Sequence, residues 1–453
     1  MLKRKILDRL IEWKERSKGT TALMIDGTRR VGKSYIVEEF AKKHYRSYIL
    51  IDFYLEQKVV RDIFENEITN LDNFFLLLQS YFHVDLYERE SLIIFDEVQT
   101  FPWARSMIKY LVKDGRYDYI ETGSLLSIKK NTKDIMIPSE EEKIKMFPLD
   151  FEEFLWAMGE NRMMDYVRQC YARREPLGQA MHRKIMMMFR QYLIVGGMPQ
   201  VVEKFVTTKN LKEVDIVKRT ILELYRDDII KHAGNDADKA MKVFDYIPAQ
   251  LQAQNKRFQI ADADGAESAR FRNYESALFW LGEAMTVNFC HNTTEPTVGL
   301  KSREDRSDFK CYMGDTGLLI SHTFSESELM VDEIYNKLLL DKLEFNNGFV
   351  VENVVAQMLR AAGHELFYYA NSNRENAAER MEIDFLLAKS KITSRHNITA
   401  LEVKSSNGYS IISLKKFMDK FKEQLNVPIV LHPGDVGEKD GILYLPLYMT
   451  GLL

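Results

Sequence analysis

Residues Gly27-Thr28-Arg29-Arg30-Val31-Gly32-Lys33-Ser34 spell a complete G-x-x-x-x-G-K-S sequence, the pattern whose backbone N–H groups cradle phosphate oxygens. Its two glycines let the chain curl, and a helix starting at its end adds partial positive charge. In such a loop Lys33 reaches the β- and γ-phosphates of ATP and the Ser34 hydroxyl ligates Mg²⁺. Gly27, Thr28, Arg29, Arg30, Val31, Gly32, Lys33 and Ser34 are all candidate ATP contacts. A glycine-containing surface turn is the plain alternative. The flanks argue against it, because Thr21 to Ile25 reads as a buried strand and Ser34 to Lys43 has amphipathic helical spacing.

Hydrolysis also needs an apolar strand ending in acid, and Leu92-Ile93-Ile94-Phe95-Asp96-Glu97 supplies one about 60 residues downstream. Asp96 is placed to hold the Mg²⁺ shell. Glu97 is placed to polarise the attacking water, which needs a carboxylate beside the metal and not bound to it. A third strand, Tyr117 to Thr122, runs into Gly123-Ser124, where Ser124 is the first candidate for sensing the γ-phosphate and Thr122 the second. Asp26 and Asp52 also end apolar runs and read as turn or capping residues. Arg29, Arg30 and Arg105 are candidates by position alone for the arginine that neutralises charge during hydrolysis, and the plain alternative for each is a solvated or structural arginine.

A second set of groups lies near the C-terminus. Glu402 and Lys404 are two apart in the strand expected over Ile398 to Ser405, so they share a face. A neighbouring antiparallel strand, expected over Glu382 to Ala388, can bring Asp384 beside Glu402. Two carboxylates so placed repel each other unless a divalent metal lies between them, and a lysine alongside can orient water and stabilise developing phosphate charge. The plain alternative is a solvated face or a cross-strand ion pair.

The elements that must position these groups fit an α/β chain. At 453 residues it is longer than one compact core, and 45% hydrophobic with 29% charged residues is a globular composition. No apolar run approaches the ~18 residues of a membrane span, and the basic Met1 to Lys5 is followed by an amphipathic segment and not by a secretory core. A cytoplasmic location without membrane association is the expectation. Cys170, Cys290 and Cys311 are too scattered for a zinc site and read as reduced thiols. The net charge of −4 lends no global support to nucleic-acid binding. Four units are expected: an ATPase domain at 1–155, a helical connector at 156–235, a winged-helix-like unit at 236–330 and a C-terminal α/β domain at 331–453. The third rests on a helix, helix, helix, strand order, with Arg270 and Arg272 opening its third helix at Tyr274 to Leu281.

The loop with paired arginines, Phe95 to Gln99, Pro102-Trp103, Thr122-Gly123-Ser124 and Phe147 to Phe154 resemble the bacterial and archaeal AAA-type ATPases that carry an appended C-terminal domain of unknown function. The resemblance continues through Gly196-Gly197-Met198-Pro199, Tyr225 to Ile230, Tyr312 to Leu318, Glu352-Asn353 and Glu382 to Leu386. It departs at Pro138 to Glu142, where such proteins commonly have a Gly-Arg pair, so no arginine role carries over there. The helix, Asp, Glu-x-Lys order also resembles a restriction-endonuclease-like core. That resemblance implies Mg²⁺ on Asp384 and Glu402, assistance from Lys404, and Glu352 as the acid of the first helix. The expected function is Mg²⁺-dependent ATP hydrolysis controlling a nuclease-like domain that acts on DNA. The alternative is a nucleotide-controlled switch whose partner is a protein or nucleic acid and whose nuclease-like domain is inactive.

Overall fold

The computed structural model describes residues 2–55, 58–123, 139–266, 269–297, 299–325, 348–371, 379–388 and 396–453. The chain forms two compact units, one built chiefly of Arg4–Phe147 and the other of Pro148–Gly282 and Thr286–Leu453. No helix among the described residues is long and apolar enough to cross a membrane.

The first unit is a wholly parallel five-stranded sheet of β1 (Ala22–Gly27), β2 (Ser47–Asp52), β3 (Ser91–Asp96), β4 (Asp118–Gly123) and β5 (Glu141–Met146), in the order β2-β3-β4-β1-β5. Strands β1, β3 and β4 are buried along their whole length. Their alternating residues feed two cores. Leu23, Ile25, Leu92, Ile94 and Ile120 pack with the helices Ile6–Ser17 and Lys33–His44. Met24, Ile93, Phe95 and Tyr119 pack on the other side with the helices Val59–Glu67, Leu71–Phe82 and Pro102–Asp114. A strand covered on both faces favours apolar residues at every position, which is why β1 and β3 read as runs and not as alternations, while buried β4 also carries Asp118, Glu121 and Thr122. The C-terminal ends of β1 and β3 are thereby brought side by side with β4 between them, the usual ligand edge of such sheets.

The second unit carries a mixed sheet in the order β12-β13-β11-β10-β9-β8-β6-β7. Its strands are β6 (Val287–Thr293), β7 (Glu304–Met313), β8 (Phe367–Asn371), β9 (Met381–Ala388), β10 (Ile398–Val403), β11 (Ile429–His432), β12 (Gly437–Lys439) and β13 (Ile442–Pro446). The hairpin β6–β7 joins this sheet through the parallel pairing of β6 with β8. The segments expected as the helical connector, the strand ending the winged-helix-like unit and the C-terminal strands lie in one compact unit. The boundary expected at 330 lies outside the described residues. Helix Ala237–Gln252 continues through Pro248, and the third helix of that region spans Glu275–Glu283, after Arg270 and Arg272.

A buried polar junction fixes this unit. Asp315 accepts from the N–H of Gly197 at 2.6 Å and of Leu318 at 3.0 Å. Gly197 in turn accepts the Leu149 N–H at 2.7 Å, and a Cβ at Gly197 would lie 2.1 Å from the Leu149 carbonyl oxygen. Only glycine permits that approach. Asn353 and Gln357, on helix Gly348–Ala361, bond the backbone of Met313 and Thr316 at 2.8 Å each. The motif residues Gly197, Asp315 and Asn353 thus meet in one structural node. Cys170, Cys290 and Cys311 are buried free thiols.

Candidate functional site

The phosphate loop begins where β1 ends and closes on the helix Lys33–His44. Gly32 turns the chain with φ at 95°, in the left-handed region that glycine adopts without Cβ strain, and Arg30 follows the same turn at 66°. Lys33 donates to the carbonyl oxygens of Gly27 at 2.8 Å and Thr28 at 3.2 Å. Burial lowers its pKa, opposed by Glu97, Asp26 and Asp96. The Ser34 hydroxyl donates to Asp96 Oδ1 at 2.8 Å, and Thr122 donates to the same oxygen. Burial raises the Asp96 pKa, and these two hydroxyls work against that rise. A hydroxyl and a carboxylate converging at the end of the loop are hard oxygen donors that fit Mg²⁺.

Glu97 follows β3 with φ at 52° and takes its backbone N–H to Thr122 Oγ1 at 3.4 Å. Gln99 donates its amide to the Glu97 carboxylate. That contact holds the expected general base from a residue that sequence reasoning did not single out. Ser124 lies outside the described residues, while Thr122, the second sensor candidate, is turned toward Asp96. Arg105 is buried and makes a bidentate pair with Glu141 at 2.9 and 2.8 Å. It ties the helix Pro102–Asp114 to the edge strand β5, which is a structural task and not that of a mobile finger. Arg29 and Arg30 are exposed. Asp52 accepts the Tyr54 N–H at 2.8 Å, the turn role expected of it.

The C-terminal candidates meet in a polar cavity of about 330 Å³ whose lining includes Lys256, Glu352, Glu382, Asp384, Glu402 and Lys404. Antiparallel pairing of β9 with β10 sets Phe385 opposite Leu401, so one step further the pleat carries Asp384 toward Glu402. Asp384 Oδ2 accepts the Val403 N–H at 2.8 Å, which binds the carboxylate to the neighbouring strand. Lys404 donates to Glu402 Oε1 at 2.7 Å. It stands one residue beyond β10, which ends at Val403 and not at the expected Ser405. The other oxygen of Glu402, Oε2, is buried without a hydrogen-bond partner. Burial and then Asp384 push the Glu402 pKa up to about 8.

Glu352 is placed differently from its expected metal role. Lys256 donates to Oε2, and Lys310, at 3.2 Å, and Tyr312 donate to Oε1. Burial opposes ionisation, yet Lys256 and Lys310 hold its pKa down to about 2. Lys310 is completely buried and also lies 2.7 Å from Glu382 and 3.8 Å from Asp384. Among the described residues no group of three or more His, Cys, Asp or Glu side chains is arranged to hold a metal ion. The oxygen set that fits a divalent cation is Asp384 with the orphaned Glu402 Oε2. Lys256 and Lys310 were not foreseen. Their one trace in the sequence is the alternation Asp308, Lys310, Tyr312 along a strand, which ordinarily marks a solvated face.

Residues 19–155 match the AAA domain family. They are an AAA-type P-loop ATPase domain. Residues 186–328 match a domain of unknown function (DUF8612), and residues 347–449 match another (DUF4143). No curated protein matches the chain in sequence. Similar solved structures include a Walker-type ATPase of Pyrococcus abyssi at 16% identity and TM-score 0.41, covering 71% of this chain and 96% of that one. Orc1 of Aeropyrum pernix in complex with DNA gives 10% and 0.27, with 72% and 93% covered, and Cdc6p of Pyrobaculum aerophilum gives 12% and 0.27, with 75% and 94% covered. Superpositions at those scores add nothing to the fold established above. The AAA domain contains every predicted ATP-contacting residue except Ser124 within its described part, at the C-terminal edge of its parallel sheet.

Proposed function

We propose that the protein binds and hydrolyses ATP with Mg²⁺ in its AAA domain, and that this cycle controls a nuclease-like C-terminal unit acting on DNA in the cytoplasm. In the AAA domain the loop N–H groups and Lys33 hold the phosphates, Lys33 exchanging its carbonyl acceptors for phosphate oxygens. Ser34 and Asp96 would hold Mg²⁺, which would supply charge neutralisation during hydrolysis. Glu97, braced by Gln99, accepts the proton of the attacking water.

The observation that carries the nuclease-like reading is the fastening of Asp384 to the Glu402-Val403-Lys404 segment through the Val403 N–H. It sets two carboxylates and a lysine around one polar cavity. Asp384 and Glu402 would bind a divalent ion, and Lys404 would orient water and offset the charge on a cleaved phosphodiester. The test is nicking of supercoiled and branched DNA with Mg²⁺ or Mn²⁺. The reading expects nicking by the native chain and none by Asp384→Asn, with phosphate release from ATP unchanged.

One observation favours a second reading, a nucleotide-controlled switch with an inactive C-terminal unit whose partner is a protein or DNA. The Glu352 carboxylate is already neutralised by two ammonium groups. Absence of nicking on every DNA form, with ATP still hydrolysed, would select it.

A further inference from the structure

Within the C-terminal cavity the charges follow a pattern that the nuclease-like reading does not itself require. Glu352 sits on helix Gly348–Ala361, and Glu382 and Asp384 on β9. Three carboxylates gathered at one point repel unless something cationic lies among them. Here that cation is Lys310, projecting from β7, with its Nζ 3.2 Å from Glu352, 2.7 Å from Glu382 and 3.8 Å from Asp384. Lys256 adds a second ammonium on the far oxygen of Glu352. Lys310 has no solvent exposure, so its ammonium is spent on these carboxylates.

The carboxylate oxygens differ in what they already bind. Both oxygens of Glu352 are taken by protein donors, as are Asp384 Oδ2 and Glu402 Oε1. Glu402 Oε2 has no donor, although Glu402 is only 6% exposed and lines the cavity. Asp384 Oδ1 lies 3.8 Å from Lys310, beyond hydrogen-bond range. An entering cation therefore finds Asp384 and the buried Glu402 Oε2 on neighbouring strands, while Glu382 is half exposed and already paired with Lys310. One or two carboxylates with water completing the shell is an ordinary complement for Mg²⁺ or Mn²⁺.

Resting on the nuclease-like reading of this cavity, we propose that Lys310 stands in for one metal ion: it gathers Glu352, Glu382 and Asp384 and leaves Asp384 with Glu402 to bind a single divalent cation. Lys310 is then a positioning residue, and Glu352 is a partner of lysines and not a ligand.

The test is Mn²⁺ binding to the full chain without nucleotide, followed by electron paramagnetic resonance. The C-terminal ion is counted as the Mn²⁺ that Asp384→Asn removes. The native chain is expected to lose one equivalent. Glu352→Gln is expected to keep that ion with affinity within about twofold. Lys310→Ala, checked for folding by circular dichroism, is expected to take a second equivalent, and Lys310→Arg to stay at one. Two Asp384-dependent ions in the native chain, or none, would overturn the proposal. So would loss of the ion in Glu352→Gln, an arm that decides even if Lys310→Ala does not fold, and so would a folded Lys310→Ala still binding one. One bound ion without DNA nicking would sink the nuclease reading and leave the single-cation assignment standing.

Discussion

The Ser34 hydroxyl donates to Asp96 Oδ1 at 2.8 Å, joining the last residue of the phosphate loop to the end of β3. The bond brings the two expected Mg²⁺ ligands into contact and leaves Glu97 one residue further on, anchored by Thr122 and Gln99. Binding and water activation are thus assigned to different side chains on different elements.

That division predicts separable losses. Glu97→Gln should retain ATP binding and slow hydrolysis by roughly 10²- to 10⁴-fold, the usual contribution of a general base. Lys33→Ala should lose binding itself. Fluorescent-nucleotide titration and phosphate release measure the two, and a Glu97→Gln chain that hydrolyses at the native rate would remove Glu97 from the mechanism.

The junction at Gly197 predicts a stability effect. A Cβ there would approach the Leu149 carbonyl oxygen to 2.1 Å, with backbone on both sides of the clash. Gly197→Ala should destabilise by about 2–4 kcal/mol, while Gly408→Ala, whose added Cβ meets nothing within 4 Å, should lie within about 0.5 kcal/mol of the native chain. Urea unfolding of both variants compares them directly.

Lys218 predicts a pH dependence. It is fully buried, donates to the Ile194 carbonyl at 3.0 Å, and burial lowers its pKa to about 8, with Asp215 and Asp315 opposing. An unfolded lysine keeps the ordinary value of 10.5. Between these values the unfolded chain holds the extra proton, so stability rises with pH across that window and is lost as pH falls through 8. The stability difference between the native chain and Lys218→Met should therefore move in favour of the native chain by up to about 3 kcal/mol from pH 8 to 10.5. A difference that is flat with pH would show that Lys218 stays charged in the folded state.

The AAA domain was legible because its determinants are local or run along single strands. The loop spacing, the apolar run before Asp96 and the small residues after β4 each declare themselves within a few residues. Asp384, Glu402 and Lys404 were legible for the same reason, since pleat and one antiparallel pairing bring them together. Lys256 and Lys310 were hidden. Each is a single lysine in a polar stretch, and only long-range packing of helix Gly348–Ala361 against the polar face of β7 converts a face that looks solvated into a buried ion network. The structural role of Arg105 was legible as an alternative, but its partner was not, because Glu141 lies on an edge strand separated from β4 by β1. The strand expected after Leu281 shows nothing in its sequence to announce that β6 pairs with β8.

Control of the C-terminal unit by ATP is read from the rate of Mn²⁺-dependent nicking of supercoiled DNA with and without ATP, in the native chain and in Lys33→Ala. ATP should change the native rate and leave the Lys33→Ala rate unchanged, with Asp384→Asn inactive throughout. Nicking by the native chain at one rate with and without ATP, matched by Lys33→Ala, would contradict it.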